Sequence, residues 1–293
     1  MIRSLGHFIC LALFSCSAWA SGELRIDPQT LNGLLQRADV VVLDARPVGD
    51  YRQGHLPGAR SFPYLNTFEN RTDNGRIPPL PQAQALFGAA GLRKTDLVIV
   101  YDGGRMLHAA RLLWMLEVYG HERVKLLDGG LSAWQQAGMD LSQVAATYEA
   151  TQYVPTVNPR RLATRFTTLL ATRKPQSYVI LDARERSHYV GLESEALRFG
   201  HIPQARNIAV SKNLTADGLH LKPKTELAML YQDLPKDRKI ITYCSIGLVS
   251  SLQYLVLREL GYDVANYDAS WKEWGNDSTL PIVSPEQSRA KPR

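Results

Sequence analysis

The 293-residue sequence has little cysteine, no long apolar run and no cluster of like charges. Because no stretch of about 18 apolar residues is present, no segment is predicted to cross a membrane as a helix. Lys and Arg number 34 against 28 Asp and Glu, and the net charge of +6 is spread along the chain. The basic patch of a nucleic-acid-binding protein is therefore not expected. Hydrophobic residues make up 45% and charged residues 21%, which is typical of a folded protein rather than a disordered one.

The N-terminus has the features of an export signal. Arg3 precedes a short apolar run over residues 8–14, and residues 18–20 form a small-residue cleavage pattern. We therefore expect residues 1–20 to be a signal peptide, cleaved near Ala20, and the protein to be periplasmic. Lipidation of Cys16 is the alternative, because the residues before it faintly resemble a lipoprotein signal.

The chain contains three cysteines, Cys10, Cys16 and Cys244. Signal cleavage would remove the first two and leave Cys244 with no partner for an intramolecular disulfide. A single thiol in an oxidising compartment is either reactive or packed as a small apolar side chain. The cysteine count alone leaves both interpretations open.

Two segments of the sequence repeat each other. Leu-Asp-Ala-Arg occurs at residues 43–46 and 181–184, and each copy is followed by Gly-His-apolar-Pro, at residues 54–57 and 200–203. The second copy carries eight extra residues between Arg184 and the histidine, since the Asp-to-His spacing is 19 instead of 11. A period of this length indicates a duplicated domain rather than a solenoid.

The repeat predicts a first domain at residues 21–142, a linker at 143–159, a second domain at 160–283 and a tail at 284–293. Short continuous apolar runs, at residues 40–43 and 178–181, predict buried parallel strands. Two longer runs, at residues 106–119 and 248–260, have apolar residues at helical spacing and predict helices. A glycine follows each run, as it often does at the end of a helix. Strands that alternate with helices predict an α/β fold, in which each domain has a mostly parallel sheet with helices on both faces.

The segment around Cys244 has the features of a reactive loop. Cys244 directly follows a predicted strand, at the sheet edge where α/β proteins bind ligands, and a predicted helix begins a few residues later. The unpaired N–H groups and the dipole of that helix would favour the thiolate, the nucleophilic form of a cysteine. Gly247 would let the backbone fold tightly around the anion.

In these motifs the sequence resembles the rhodanese family of sulfurtransferases, in its tandem two-domain form. The resemblance implies that Cys244 takes a sulfur atom from a small anionic donor such as thiosulfate and passes it to a thiophilic acceptor, cyanide or a thiol, without a metal or organic cofactor. It implies that the first domain is not catalytic, because Asp102 occupies the position of Cys244. It also implies a substrate-binding role for Arg184 and for the loop residues Ser245, Ile246, Gly247, Leu248, Val249 and Ser250.

Several assignments stay open. Arg184 is expected to bind the donor, and a structural role is the alternative, because Arg46 has the same place in the non-catalytic copy. His201 is expected to stabilise a turn rather than to pair with Cys244, because His55 has the same place in the copy that lacks the cysteine. Glu193 and Glu195 are expected to be solvated, and the pair of tryptophans at 271 and 274 to pack.

The donor and the reaction class also have alternatives. Ser245 and Ile246 are uncharged where thiosulfate-using relatives often carry cations, which points to 3-mercaptopyruvate, but Val190 stands where those enzymes usually have an arginine. We expect thiosulfate. A phosphatase of the same fold would need an arginine where Ser250 stands. A sulfur carrier without turnover of its own is a further alternative, and we expect the protein to be a monomer.

Overall fold

The computed structural model describes residues 23–72 and 74–284. The predicted signal peptide, with Cys10 and Cys16, and nearly all of the predicted tail lie outside the described residues.

The first half of the chain forms a five-stranded sheet in which every pairing is parallel. Its strand order is β1-β5-β4-β2-β3, so β4 is central. The central strands are buried on both faces, which explains their uninterrupted apolar sequences. The strands are β1 (Arg25–Ile26), β2 (Val40–Asp44), β3 (Arg60–Ser61), β4 (Leu97–Tyr101) and β5 (Val124–Leu127).

The second half repeats this sheet with the order β6-β10-β9-β7-β8, again with parallel pairings, and β9 takes the central place of β4. The α/β architecture predicted from the repeat is thereby confirmed. The strands are β6 (Leu162–Ala163), β7 (Tyr178–Asp182), β8 (Ala205–Asn207), β9 (Lys239–Tyr243) and β10 (Val264–Tyr267).

Within residues 23–72 and 74–284, ten α-helices connect and flank these strands. The two long helical runs seen in the sequence become α4 and α9, and the glycines just beyond them, Gly120 and Gly261, adopt positive φ angles of 75° and 79°. The helices are α1 (Pro28–Leu34), α2 (Val48–Gln53), α3 (Leu80–Ala89), α4 (Leu107–Val118), α5 (Gly130–Gln136), α6 (Arg165–Arg173), α7 (Arg186–Tyr189), α8 (Lys224–Leu230), α9 (Val249–Glu259) and α10 (Ser270–Trp274).

Helices α4 and α9 pack against each other and join the two halves. Both are buried nearly all round, and their apolar side chains belong to one continuous core. Glu117 of α4 is satisfied across this interface by the hydroxyl of Tyr254 and by Arg258, whose Nη2 lies 2.8 Å from Oε1. Burial and the Glu117 carboxylate raise the pKa of Tyr254 well above its usual value, so its hydroxyl stays protonated and donates.

The segment 143–159 has no helix or strand but is not detached from the first half. Tyr153 is buried against Phe87, and the N–H groups of Thr151 and Thr156 donate to carbonyls of Gly88 and Tyr119. The segment 143–159 is therefore packed along the first half of the chain. In the described ranges no helix has the length and apolar character that a membrane crossing requires.

Candidate active site

Cys244 lies at the carboxyl end of the central strand β9, and only 1% of its surface is exposed. Its backbone is fixed on both sides, because its N–H donates to Ser270 Oγ at 3.1 Å and its carbonyl accepts from the Trp271 N–H at 2.9 Å. The cysteine is therefore held by the strand behind it and by the start of α10 beside it.

The loop between Cys244 and α9 turns sharply at Gly247, where φ is +71°. A Cβ atom at this position would lie 2.3 Å from the carbonyl oxygen of Asp268, so only glycine fits. The Gly247 carbonyl accepts from Ser251 Oγ at 2.7 Å, Arg111 Nη1 at 2.9 Å and Asn266 Nδ2 at 3.1 Å. These three donors fix the position of the Gly247 carbonyl, and with it the conformation of the loop.

The backbone N–H groups are a second feature of this loop. Across the described part of the chain, the N–H groups of residues 245–250 find no hydrogen-bond acceptor. The Ser250 hydroxyl lies 3.3 Å from Cys244 Sγ and 2.7 Å from Asn266 Oδ1. Because this hydroxyl has a single proton and lies closer to Asn266 Oδ1, which can only accept, it donates to Asn266 and is left as an acceptor toward Cys244. The N–H groups suit an anion carried on the cysteine.

The equivalent loop of the first half contains such an anion as part of the protein. Asp102 follows β4, and its carboxylate accepts from the N–H groups of Gly104 and Met106 at 2.9 Å and of His108 at 3.0 Å, with Ala109 at 3.3 Å. A loop of this design therefore holds negative charge on the side chain at its first position.

Arg184 is buried and largely committed to the protein. Its Nη2 lies 2.6 Å from Asp182 and 2.9 Å from the carbonyl of Gly200, and Arg46 makes the same contacts with Asp44 and Gly54. Burial disfavours the charge, but Asp182 outweighs it and raises the pKa of Arg184. This pairing fits the structural interpretation.

One feature separates Arg184 from Arg46. The buried Nη1 of Arg184 has no hydrogen-bond partner within residues 23–72 and 74–284, and Arg184 lines the cavity beside the Cys244 loop. This nitrogen is the part of Arg184 that a substrate could use, so both proposed roles keep support.

His201 stacks on Tyr189, with ring centroids 3.9 Å apart, and its Nδ1 lies 2.8 Å from the Tyr189 carbonyl. His55 stacks on Tyr51 at the same distance in the first half. The matching contacts favour the turn-stabilising role for His201. Trp271 and Trp274 are buried, as packing residues are, and the Trp271 Nε1 donates to Ser194.

The insertion between Arg184 and His201 has a role that the sequence did not indicate. Glu195 is exposed, as expected of a solvated residue, and it also accepts a hydrogen bond of 2.8 Å from Ser245, the residue after Cys244, and lies 3.1 Å from His188. Glu193 is 60% exposed and lies 3.4 Å from the same histidine. The insertion therefore forms one wall of the site.

A cavity of about 270 Å³ opens beside the Cys244 loop. Its lining comes from both halves of the chain: Arg105 and Leu107 from the first, and Arg184, His188, Glu195 and Ser245 among those from the second. A larger cleft of about 860 Å³, next to Lys236 and Tyr262, includes no residue of the Cys244 loop. The smaller cavity is the candidate active site.

The contact of Arg111 with the reactive loop was not predicted from the sequence. Arg111 lies inside α4, in the first half, yet its Nη1 binds the carbonyls of Ile246 and Gly247 in the reactive loop. Its other nitrogens bind Thr67 and Gly75. The available signal was a charged residue within a mostly apolar helix, since a buried charge requires partners.

The comparisons with known proteins agree with this geometry. The sequence profile of the rhodanese-like domain matches residues 27–137 and 163–277. The chain is 31% identical to a thiosulfate sulfurtransferase of Azotobacter vinelandii, over 90% of this chain and 98% of the relative. It is 30% identical to the mitochondrial thiosulfate/3-mercaptopyruvate sulfurtransferase 1 of Arabidopsis thaliana, over 94% and 82%.

Solved structures give the same result. The crystal structure of SseA from Escherichia coli, described as a 3-mercaptopyruvate sulfotransferase, superposes with a TM-score of 0.76 at 26% identity, over 85% of this chain and 99% of that one. The wild-type structure of EanB superposes with a TM-score of 0.79 at 18% identity, over 89% of this chain and 69% of that one, which shows a shared fold.

Proposed function

The chain belongs to the rhodanese family, and from this premise we propose that it is a thiosulfate sulfurtransferase with Cys244 as the sulfur carrier. The observation that carries the proposal is the row of N–H groups at residues 245–250, which directly follows the one described cysteine and has no acceptor within the described residues. The equivalent row in the first half already binds a carboxylate, that of Asp102.

In the first step the Cys244 thiolate attacks the outer sulfur of thiosulfate. A sulfur–sulfur bond forms to Cys244, the donor's own sulfur–sulfur bond breaks, and sulfite leaves with that bond's electron pair. The persulfide anion on Cys244 would then accept hydrogen bonds from the loop N–H groups that have no acceptor among the described residues, which would stabilise its charge.

In the second step a thiophilic acceptor attacks the outer sulfur of the persulfide. Cyanide becomes thiocyanate, or a thiolate becomes a persulfide, and the electron pair returns to the Cys244 thiolate. Because donor product leaves before the acceptor reacts, the kinetics should be ping-pong.

The test is to mix the protein with thiosulfate alone and then to analyse the Cys244 peptide by mass spectrometry. We expect one added sulfur atom on Cys244 and one equivalent of released sulfite, and thiocyanate once cyanide is added. Cys244→Ser is the control and should give neither product. If Cys244 reacts normally with iodoacetamide yet gains no sulfur from thiosulfate, the proposed donor is wrong.

The uncharged Ser245 and Ile246 favour 3-mercaptopyruvate as the alternative donor. The kcat/KM values for the two donors, measured with one acceptor, decide between them. A carrier without turnover would load one sulfur atom from either donor and then release none to cyanide.

We further propose that the protein is an exported monomer. The support for export is the signal-like pattern of residues 1–20. N-terminal sequencing of the protein from its native cell should find Ser21 first, and the mass in solution should equal that of one chain. An N-terminus at lipidated Cys16, or a dimer mass, would contradict these two points.

A further inference from the structure

Arg105 lies in the loop of the non-catalytic half but lines the cavity beside Cys244. Its position follows from Asp102, which draws the N–H groups of Gly104 and Met106 inward at 2.9 Å. The residue between them is turned outward, and the Arg105 side chain is exposed.

The other basic side chains of this cavity have carboxylate partners. Arg184 is paired with Asp182 at 2.6 Å, and His188 contacts Glu195 at 3.1 Å. For Arg105, by contrast, no carboxylate lies within ion-pair distance among residues 23–72 and 74–284.

The same cavity also contains negative charge. Glu185 and Glu195 line it, and Glu195 reaches Ser245. Without Arg105 the entrance would therefore repel an anionic donor, because like charges at short range raise the free energy of the bound state.

We propose that Arg105 binds the anionic group of the sulfur donor, so that the non-catalytic half supplies the cation that the reactive loop lacks at Ser245 and Ile246. This inference rests on the proposed function. A guanidinium suits the sulfonate-like end of thiosulfate or a carboxylate, since it can donate two parallel hydrogen bonds. Glu195, which also lines the cavity, opposes this attraction.

The first test measures steady-state kinetics with thiosulfate and the neutral acceptor 2-mercaptoethanol. Arg105→Gln should lower kcat/KM for thiosulfate about tenfold, the scale expected for losing one charged hydrogen-bonded contact, and leave kcat/KM for the acceptor within twofold. The kcat/KM of Arg105→Lys for thiosulfate should lie between those of Arg105→Gln and the wild type, and Glu195→Gln should raise it. The control is Arg52→Gln, at an exposed arginine of α2 outside the cavity, and its kcat/KM should match that of the wild type. An unchanged donor value in Arg105→Gln would overturn the inference.

The second test needs no sulfur donor. The rates of Cys244 alkylation by iodoacetate, an anion, and by neutral iodoacetamide are measured by peptide mass spectrometry. Arg105→Gln should lower the iodoacetate-to-iodoacetamide ratio several-fold, and Glu195→Gln should raise it. If the ratio changes in this way while thiosulfate loads no sulfur, the proposed function fails and the anion-binding role stands. If the ratio in Arg105→Gln stays within twofold of the wild type, Arg105 does not serve this cavity.

Discussion

The loops that follow the two central strands have the same length, since α4 and α9 each begin five residues after the first loop residue, but they differ in backbone conformation and in the side chain at that first position. After β4, the carboxylate of Asp102 binds the loop's N–H groups. After β9, Cys244 stands in that place, and its loop N–H groups meet no acceptor in the described ranges. The comparison indicates that binding an anion is a property of the loop, and that sulfur chemistry depends on one side chain placed in it.

The two loops also differ in what supports them. The Cys244 loop depends on the other half of the chain, because Arg111 of α4 binds the carbonyls of Ile246 and Gly247. The non-catalytic half therefore shapes the reactive loop, which gives it a role although it lacks the cysteine.

The change with the largest expected effect makes the two loops alike. Cys244→Asp should abolish sulfur loading, because a carboxylate cannot accept a sulfane sulfur. The new carboxylate should accept the loop N–H groups as Asp102 does, and we expect the free energy of unfolding to rise by about 1 kcal/mol. Urea unfolding measures this, with Cys244→Ser as the control. A clear loss of stability in Cys244→Asp relative to Cys244→Ser would mean that the two loops are not equivalent.

The next largest effect should come from Arg111→Lys, which removes the loop's support from the first half. A lysine cannot bind Gly247, Thr67 and Gly75 together, so we expect the free energy of unfolding to fall by about 3 kcal/mol. The loop should also lose its shape, which should slow Cys244 alkylation by iodoacetamide about tenfold.

The control for Arg111→Lys is Arg258→Lys. Arg258 also crosses the interface, to Glu117, but it has no contact with the reactive loop. The Arg258→Lys variant should lose stability, while its Cys244 should react with iodoacetamide at the wild-type rate. Equal slowing in both variants would show that general loosening, rather than loop positioning, explains the result.

A smaller effect is expected from Asp102→Asn in the other loop. The amide keeps one oxygen but presents N–H groups to the donors of His108 and Ala109, so the free energy of unfolding should fall by about 1–3 kcal/mol. Sulfur loading of Cys244 by thiosulfate should persist. Asp50→Asn, an exposed change in α2, is the control and should be neutral. A loss of stability no greater than that of the control would show that Asp102 does not hold its loop.

Much of this architecture was predictable because it is local or periodic. The repeat revealed two similar domains, the apolar runs marked β2 and β7, and the glycines at 120 and 261 marked the ends of α4 and α9. The loop after β9 was identified because a strand, a cysteine and a helix follow one another directly in the sequence.

The residues that were missed act between elements far apart in the chain. Arg111, Arg105 and Glu195 approach the Cys244 loop only because the two halves pack along α4 and α9 and the insertion folds back on Ser245. Nothing in their local sequence encodes these distances. The substrate roles of Arg184 and of residues 245–250 stay predictions until variants are measured.

The smallest effect concerns equivalent glutamates at the ends of the two packed helices. Glu259 of α9 accepts hydrogen bonds from Arg25 and from the Leu24 N–H, both in the first half. In the same way, Glu117 of α4 accepts a hydrogen bond from Arg258 in the second half. Burial raises the pKa of Glu259 above its usual 4.5, although Arg25 opposes this. The folded protein therefore binds more protons than the unfolded chain at this site, and its stability relative to Glu259→Gln should decrease as the pH rises from about 4.5 through the raised pKa. Urea unfolding of both proteins between pH 4 and pH 7 measures the slope, and a relative stability that increases over this range would mean that the pairing with Arg25 outweighs burial.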